Sequence, residues 1–345
     1  MRAPPIAAAA LAVLASAAAA QPNEAAVDSI MSTYARPGMP GAAVLVVKDG
    51  RVALEKGYGL ADVEAGTPVT RETDFRLASL TKQFTATAIM LLAADGRVRY
   101  DDPVTMCVPE LPAYARGVTL RHLLQHTGGL PDYEDFVPDS QTRQVLDAEI
   151  PALVARSDTA YFAPGTRFRY SNTGYVLLAL VVERASGQRF ADVLRDRVFA
   201  PLGMSGSLAR EDRGPPVPHR AYGYTVRASG VRRTDVYTPV RDLARWDAAL
   251  DRHQLVSADA QRLAWTTPPQ LPAGDAVPFP GAGYGFGWFV DREGGELRLR
   301  HHGESRGFTN AVVRYPERRL AVWILTNRTG GAPWDLAQRI AELYR

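Results

Sequence analysis

The sequence predicts an α+β fold: one antiparallel sheet built from both chain ends and flanked by helices, with a mostly helical insertion between the two halves. Three observations predict it. Each end of the chain reads as strand pairs with a helix outside them. The middle reads as helices alternating with loops rich in Pro, Gly and Asp. No repeat and no Ser/Gly-rich linker divides the chain, so both ends share one core.

The elements follow in order. Residues 24 to 35 read as a helix. GAAVLVVKDGRVALEKGYG reads as two strands joined at Asp49-Gly50, a two-residue hairpin signal. Residues 79–95, 117–125, 141–156, 173–186 and 190–198 have helical length and apolar spacing. YGFGWFVDREGGELRLRHHG gives a strand, a Glu-Gly-Gly turn and a second strand. GFTNAVVRYPERRLAVWILTNR gives a further pair, turning at Pro316-Glu317-Arg318, and WDLAQRIAELYR closes the chain as a helix. This divides residues 21–345 into an α/β lobe (about 24–78 and 230–345) and a helical lobe (about 79–229), with a natural cleft between them.

The first 20 residues carry Arg2, an apolar Ala/Leu/Val run and small residues up to Ala20, the pattern of a secretory signal peptide. The apolar run of 15 residues, 6 to 20, falls short of the ~20 that span a bilayer. Export to the periplasm or the medium is therefore expected, with no membrane span. A net charge of +3, dispersed along 345 residues, argues against nucleic acid as a partner. The single cysteine, Cys107, excludes an intramolecular disulfide and reads as a small packing residue. No Gly-rich phosphate loop and no metal-ligand spacing is present, so no cofactor is expected. Trp288, Trp323 and Trp334 read as core packing, Asp101 and Asp102 as the start of a helix or turn, and His126 as a helix cap or loop brace.

The chemistry points to RLASLTKQF. Only three of the 40 basic residues are lysines, at 48, 56 and 82. Lys82 follows Ser79 by three residues, so on a helix starting at Ser79 its amine reaches the Ser79 hydroxyl. A hydroxyl becomes a nucleophile when a base takes its proton. Arginine is not deprotonated in proteins, whereas a buried lysine can be. The stretch LTKQFTATAIMLLAA is apolar on nearly all sides, which makes a surface lysine the weaker reading. Tyr170-Ser171-Asn172, just before a helix, adds a phenol that can relay a proton and an amide that can hold both a lysine and a substrate carbonyl. In LRHHGESRGF, Gly303 permits close backbone approach, and the strand edge after it offers an N–H to complete an oxyanion hole with that of Ser79. His301 and His302, as strand neighbours, point to opposite faces and cannot readily share one metal ion.

Ser79-x-x-Lys82, Tyr170-x-Asn172 and His301-x-Gly303, in that order, resemble the serine β-lactamase and penicillin-binding-protein-like superfamily. The last two forms look more like its class C branch, which also contains esterases, D-aminopeptidases and DD-peptidase-like proteins. The likeness extends through GYGLADVEAGTPVTRETDFRLASLTKQFTA, LRHLLQHTGGLPDY, FRYSNTGY, DLARW and YGFGWFV, and covers roughly residues 25 to 345. It implies a β-lactamase/transpeptidase-like fold. It implies that Ser79 is acylated and that Lys82, alone or with Tyr170, is the base. Tyr170 would pass a proton to the leaving group, Asn172 and the edge of His301, Gly303 and Glu304 would contact the substrate, and the N–H groups of Ser79 and Glu304 would hold the oxyanion.

Two departures bear on substrate. Penicillin-recognising members usually carry lysine where this chain has His301, and histidine with its pKa near ~6.5 is mostly neutral at pH 7. Glu304 stands where small residues are commoner. The expectation is thus a secreted serine hydrolase taking a small-molecule or peptide ester or amide, esterase or D-amino-acid peptidase ahead of β-lactamase. D-Ala-D-Ala carboxypeptidase is a further alternative, and a non-catalytic penicillin-binding-like module is the reading of a different class.

Overall fold

The computed structural model of the protein describes residues 23–138, 140, 145–210, 216–224, 235–269 and 279–345. The leader expected over 1–20 lies outside them, as do residues 141–144 of the helix expected over 141–156. The strands are β1 (Ala42–Lys48), β2 (Arg51–Tyr58), β3 (Leu60–Asp62), β4 (Thr67–Pro68), β5 (Phe75–Arg76), β6 (Leu208–Arg210), β7 (Asp235–Thr238), β8 (Gly283–Tyr284), β9 (Phe289–Glu293), β10 (Glu296–Ser305), β11 (Phe308–Tyr315) and β12 (Leu320–Thr326). The α-helices are α1 (Glu24–Ile30), α2 (Lys82–Ala94), α3 (Leu120–Leu124), α4 (Ile150–Val154), α5 (Asn172–Ser186), α6 (Phe190–Leu194), α7 (Val240–Arg252), α8 (Ala258–Ala264) and α9 (Pro333–Tyr344). Seven strands form one antiparallel sheet in the order β2-β1-β12-β11-β10-β9-β8, which joins the two chain ends as the sequence predicts.

The central strands are apolar on both faces because both faces are covered. Along β1, Ala43, Leu45 and Val47 enter one core while Ala42, Val44 and Val46 enter the other. Along β12, Ala321, Trp323 and Leu325 alternate in the same way with Leu320, Val322 and Ile324. Val27 and Met31 at α1, with Ile340 and Ala341 of α9, close the smaller core. α7 packs on β1, β2 and β12 from the other side, and α2 and α5 lie side by side in the larger core. The β1–β2 hairpin turns at Asp49 (φ +53°) and Gly50 (φ +73°), the paired positive angles that an Asp-Gly turn supplies.

Several elements differ from expectation. The first helix ends at Ile30 and gives way to a 3₁₀ turn at Ser32–Tyr34. The segment 190–198 divides into α6 and a π turn at Arg195–Phe199. α3 starts at Leu120, capped by Thr119, whose hydroxyl accepts the His122 N–H. Ser79 does not begin an α-helix: it lies in a 3₁₀ turn at Ala78–Thr81, and α2 starts at Lys82. Trp288 and Trp323 are core residues, but Trp334 is 36% exposed because it opens α9 at the surface. Cys107 is half-buried against the larger core. Asp102 caps the Arg99 N–H and Asp101 pairs with Arg121. A second sheet of short strands, in the order β5-β7-β6, was not anticipated; runs of two to four residues carry no readable period.

Beside that sheet, Asp74 is 1% exposed and its Oδ1 has no hydrogen-bond partner among the described residues. Burial first and the Asp242 carboxylate second push its pKa up to about 8, against the pull of Arg241. A carboxyl whose pKa rises on folding favours the fold fully below its unfolded value, and that contribution is lost as pH rises through the folded value. Asp74→Asn removes this titration. Its stability gain over wild type is expected to be absent near pH 4 and to grow by about 1.4 kcal/mol per pH unit until levelling off near pH 8. Urea unfolding of both proteins at pH 4, 6 and 9 reads it; a constant difference across the series would refute it.

Candidate active site

The 3₁₀ turn at Ala78–Thr81 explains the first contact. With three residues per turn, positions i and i+3 eclipse, so Lys82 stands over Ser79 more directly than in an α-helix. Lys82 Nζ donates to Ser79 Oγ at 3.3 Å and to Asn172 Oδ1 at 3.0 Å. Ser79 is half-buried, whereas Lys82 is 5% exposed. The amine lies 4.8 Å from the Tyr170 ring centre and 5.4 Å from that of Tyr175. Just before the serine, Ala78 holds φ +51°, a conformation that costs a non-glycine residue about 1 kcal/mol or more and clusters at functional sites.

The second motif is delivered by the start of α5. Ser171 caps the helix, its Oγ accepting the Gly174 N–H at 3.2 Å. Asn172 donates its backbone N–H to Asp132 Oδ2 (2.8 Å) and its side-chain Nδ2 to Glu134 Oε2 (3.3 Å). The Glu134 acceptor turns the amide so that Oδ1 faces Lys82. The Tyr170 oxygen is out of solvent and lies beside the Ser79 hydroxyl. Burial raises its pKa, the nearby Ser79 hydroxyl offsets a little of that, and Asp132 adds to it. Tyr170 is therefore a phenol at neutral pH, a proton donor and not a resting base.

The third motif lies on β10. β9 pairs with β10 only from Glu296 to Arg300, so among the described residues the β9 side of β10 from His301 to Ser305 has no strand beside it. A Cβ on Gly303 would sit 2.2 Å from Leu77 O and 3.3 Å from Ser79 N, so only glycine lets this edge approach the Ser79 turn. Glu304 follows on the same edge with its side chain exposed. The His301 side chain does not line the cleft. It is 0% exposed, its Nδ1–H donates to His302 O (2.6 Å), and its Nε2 accepts the Tyr284 hydroxyl (2.9 Å). Burial, then His302 and Lys82, hold it well below the usual histidine range, so it is neutral. Burial and Lys82 likewise push His302 down to about 4. Among the described residues no group of three His, Cys, Asp or Glu side chains is placed to hold a metal, and no helix is long and apolar enough to cross a membrane.

The structure thus brings Ser79, Lys82, Tyr170, Asn172 and the Gly303–Glu304 edge together across the cleft. Sequence reasoning missed Asp132 and Glu134, which orient Asn172, and Tyr284, which holds His301. The stretch LPDYEDF lies 40 residues upstream of Asn172, and only its acidic content could have drawn attention to it.

Residues 24–344 match the model of the Beta-lactamase family. The chain belongs to this family. It is 32% identical over 321 residues to penicillin-binding protein 4* of Bacillus subtilis, covering 85% of this chain and 69% of that protein. It is 30% identical over 346 residues to a D-aminopeptidase of Gluconobacter oxydans, covering 92% and 61%. The chain thus spans about two thirds of the length of these relatives. Among solved structures, D-amino acid amidase from Ochrobactrum anthropi superposes with a TM-score of 0.78 at 26% identity, covering 93% of this chain and 98% of that one. The octameric penicillin-binding protein homologue from Pyrococcus abyssi gives 0.79 at 29%, covering 93% and 76%. At this level the protein is a hydrolase of the serine β-lactamase and penicillin-binding-protein superfamily, with that superfamily's fold.

Proposed function

We propose that this family member hydrolyses esters or amides through an acyl-enzyme on Ser79, with D-amino-acid amides and short D-peptides as its preferred substrates. The observation that carries the reading is the 3.3 Å contact between the Ser79 oxygen and the buried Lys82 amine. Lys82 takes the Ser79 proton as Oγ attacks the carbonyl carbon, and the oxyanion is received by the N–H groups of Ser79 and Glu304. Tyr170, protonated at rest, gives its proton to the departing amine or alcohol and regains one from the Lys82 ammonium. Water then attacks the acyl carbon by the reverse route, releasing the acid and restoring the Ser79 hydroxyl. The D-amino-acid preference draws on the named activities of the D-aminopeptidase and D-amino acid amidase relatives. The neutral, enclosed His301 favours these over β-lactams and over D-Ala-D-Ala termini, because no cation stands at that position to draw a substrate carboxylate. Export on a leader ending at Ala20 belongs to the same proposal, and a mature N-terminus at Gln21 in the secreting host is its check.

A fluorophosphonate probe is expected to label wild type at Ser79 and to leave Ser79→Ala unlabelled. On a p-nitrophenyl ester, a D-alanine anilide and a chromogenic cephalosporin, multiple turnovers are expected for the first two and little for the third, all lost in Ser79→Ala. Ligand-induced thermal stabilisation without label or product would favour a binding module instead.

A further inference from the structure

His126 is a buried titratable group beside the site that the proposed chemistry leaves unused. It is 2% exposed and holds φ +57°, a backbone region in which histidine, asparagine and aspartate are enriched among non-glycine residues. Two of its acceptors, the carbonyl oxygen and Nδ1, grip the chain on either side of Tyr170. The Arg169 N–H donates to His126 O at 3.0 Å, and the Ser171 N–H donates to His126 Nδ1 at 3.1 Å. The ring lies 4.3 Å from that of Tyr170 and 4.3 Å from that of Tyr284, which in turn holds His301. Nδ1 can accept only while the imidazole is neutral, and burial, with Lys82 and His301 nearby, keeps it so. The Tyr170 oxygen lies beside the Ser79 hydroxyl, and how it meets that hydroxyl depends on the backbone at 169 and 171 and on the rings packed around the phenol.

We propose that His126 is a positioning residue for Tyr170: by accepting from the backbone on both sides of it, His126 fixes where the phenol delivers its proton. This rests on the proton-donor role given to Tyr170 above. The role needs an acceptor one bond beyond Cγ on a residue that tolerates positive φ, and asparagine supplies both without adding a charge to the buried site. His126→Asn and His126→Ala both lose the ring and differ in that acceptor.

The test compares kcat and KM on the ester and the anilide for these two variants, alone and in a Tyr170→Phe background, with thermal midpoints measured in parallel. His126→Ala is expected to lose ~10²-fold in kcat, as misplacement of a reacting group by about 1 Å can. Its KM is expected to stay within about threefold. His126→Asn is expected to stay within about tenfold of wild-type kcat. In Tyr170→Phe, His126→Ala is expected to cost nothing further, because the group it positions is gone. If the alanine variant does not fold, His126→Leu, close to asparagine in shape but without the acceptor, takes its place. The proposal is overturned if the acceptor-free variant keeps wild-type kcat, if asparagine and alanine lose the same factor, or if the loss persists undiminished in Tyr170→Phe. Should Tyr170→Phe itself leave kcat unchanged, the proton role of Tyr170 and this proposal fall together. Fluorophosphonate labelling of Ser79 then decides separately whether the acyl-enzyme reading survives.

Discussion

Lys82→Arg is expected to lower kcat by ~10³-fold, near the middle of what a general base contributes. The substitution keeps donors toward Ser79 and Asn172 but holds a fixed positive charge, and so removes the neutral amine that accepts the Ser79 proton. That makes it a sharper test than removal of the side chain. Lys82→Met, which removes the amine without fixing a charge there, should lose a similar factor. Neither should lose more when combined with Ser79→Ala, because residues that act as one unit are not additive. Rates of fluorophosphonate labelling, which report acylation alone, should fall in step with kcat. An arginine variant retaining more than about a tenth of wild-type kcat would assign position 82 to charge placement and not to proton transfer.

Gly303→Ala is expected to cost ~10²–10³-fold in kcat, the loss that accompanies one missing oxyanion donor. The new methyl would stand 2.2 Å from Leu77 O, a backbone atom that cannot swing aside, and 3.3 Å from the Ser79 and Leu80 nitrogens. Relief requires β10 and the Ser79 turn to separate, which pulls apart the two N–H groups assigned to the oxyanion. The same overpacking should lower stability by about 1–3 kcal/mol. Because both effects have one cause, kcat and the urea midpoint should fall together, with KM affected less. A Gly303→Ala enzyme with unaltered kcat would show that this edge is not part of the oxyanion site.

Some of the site was legible because it is local. Ser79 and Lys82 are three residues apart, and any helical turn places them together; what the sequence could not distinguish was a 3₁₀ turn from the first turn of an α-helix, since both keep the same apolar residues inside. Gly303 was legible as a close approach beside Ser79, but not that the Leu77 carbonyl is the atom it meets. His301 was misjudged as a residue facing substrate, because a strand position says only which face a side chain takes. Which face the Tyr284 hydroxyl occupies is settled by folding.

Although the division of β1 and β12 between two cores was not in it, the sequence by itself determined the strand pairs at both chain ends, the hairpin at Asp49-Gly50 and the choice of lysine over arginine at position 82. These depend on period, turn chemistry and acidity, which neighbours along the chain carry. Only the tertiary structure decided that Asn172 closes on Lys82 across 90 residues, that Glu134 orients its amide, and that His126 clasps Tyr170 from both sides. Such contacts join segments whose local propensities are indifferent to one another, and only the packing of the sheet against the helices brings them within hydrogen-bond reach.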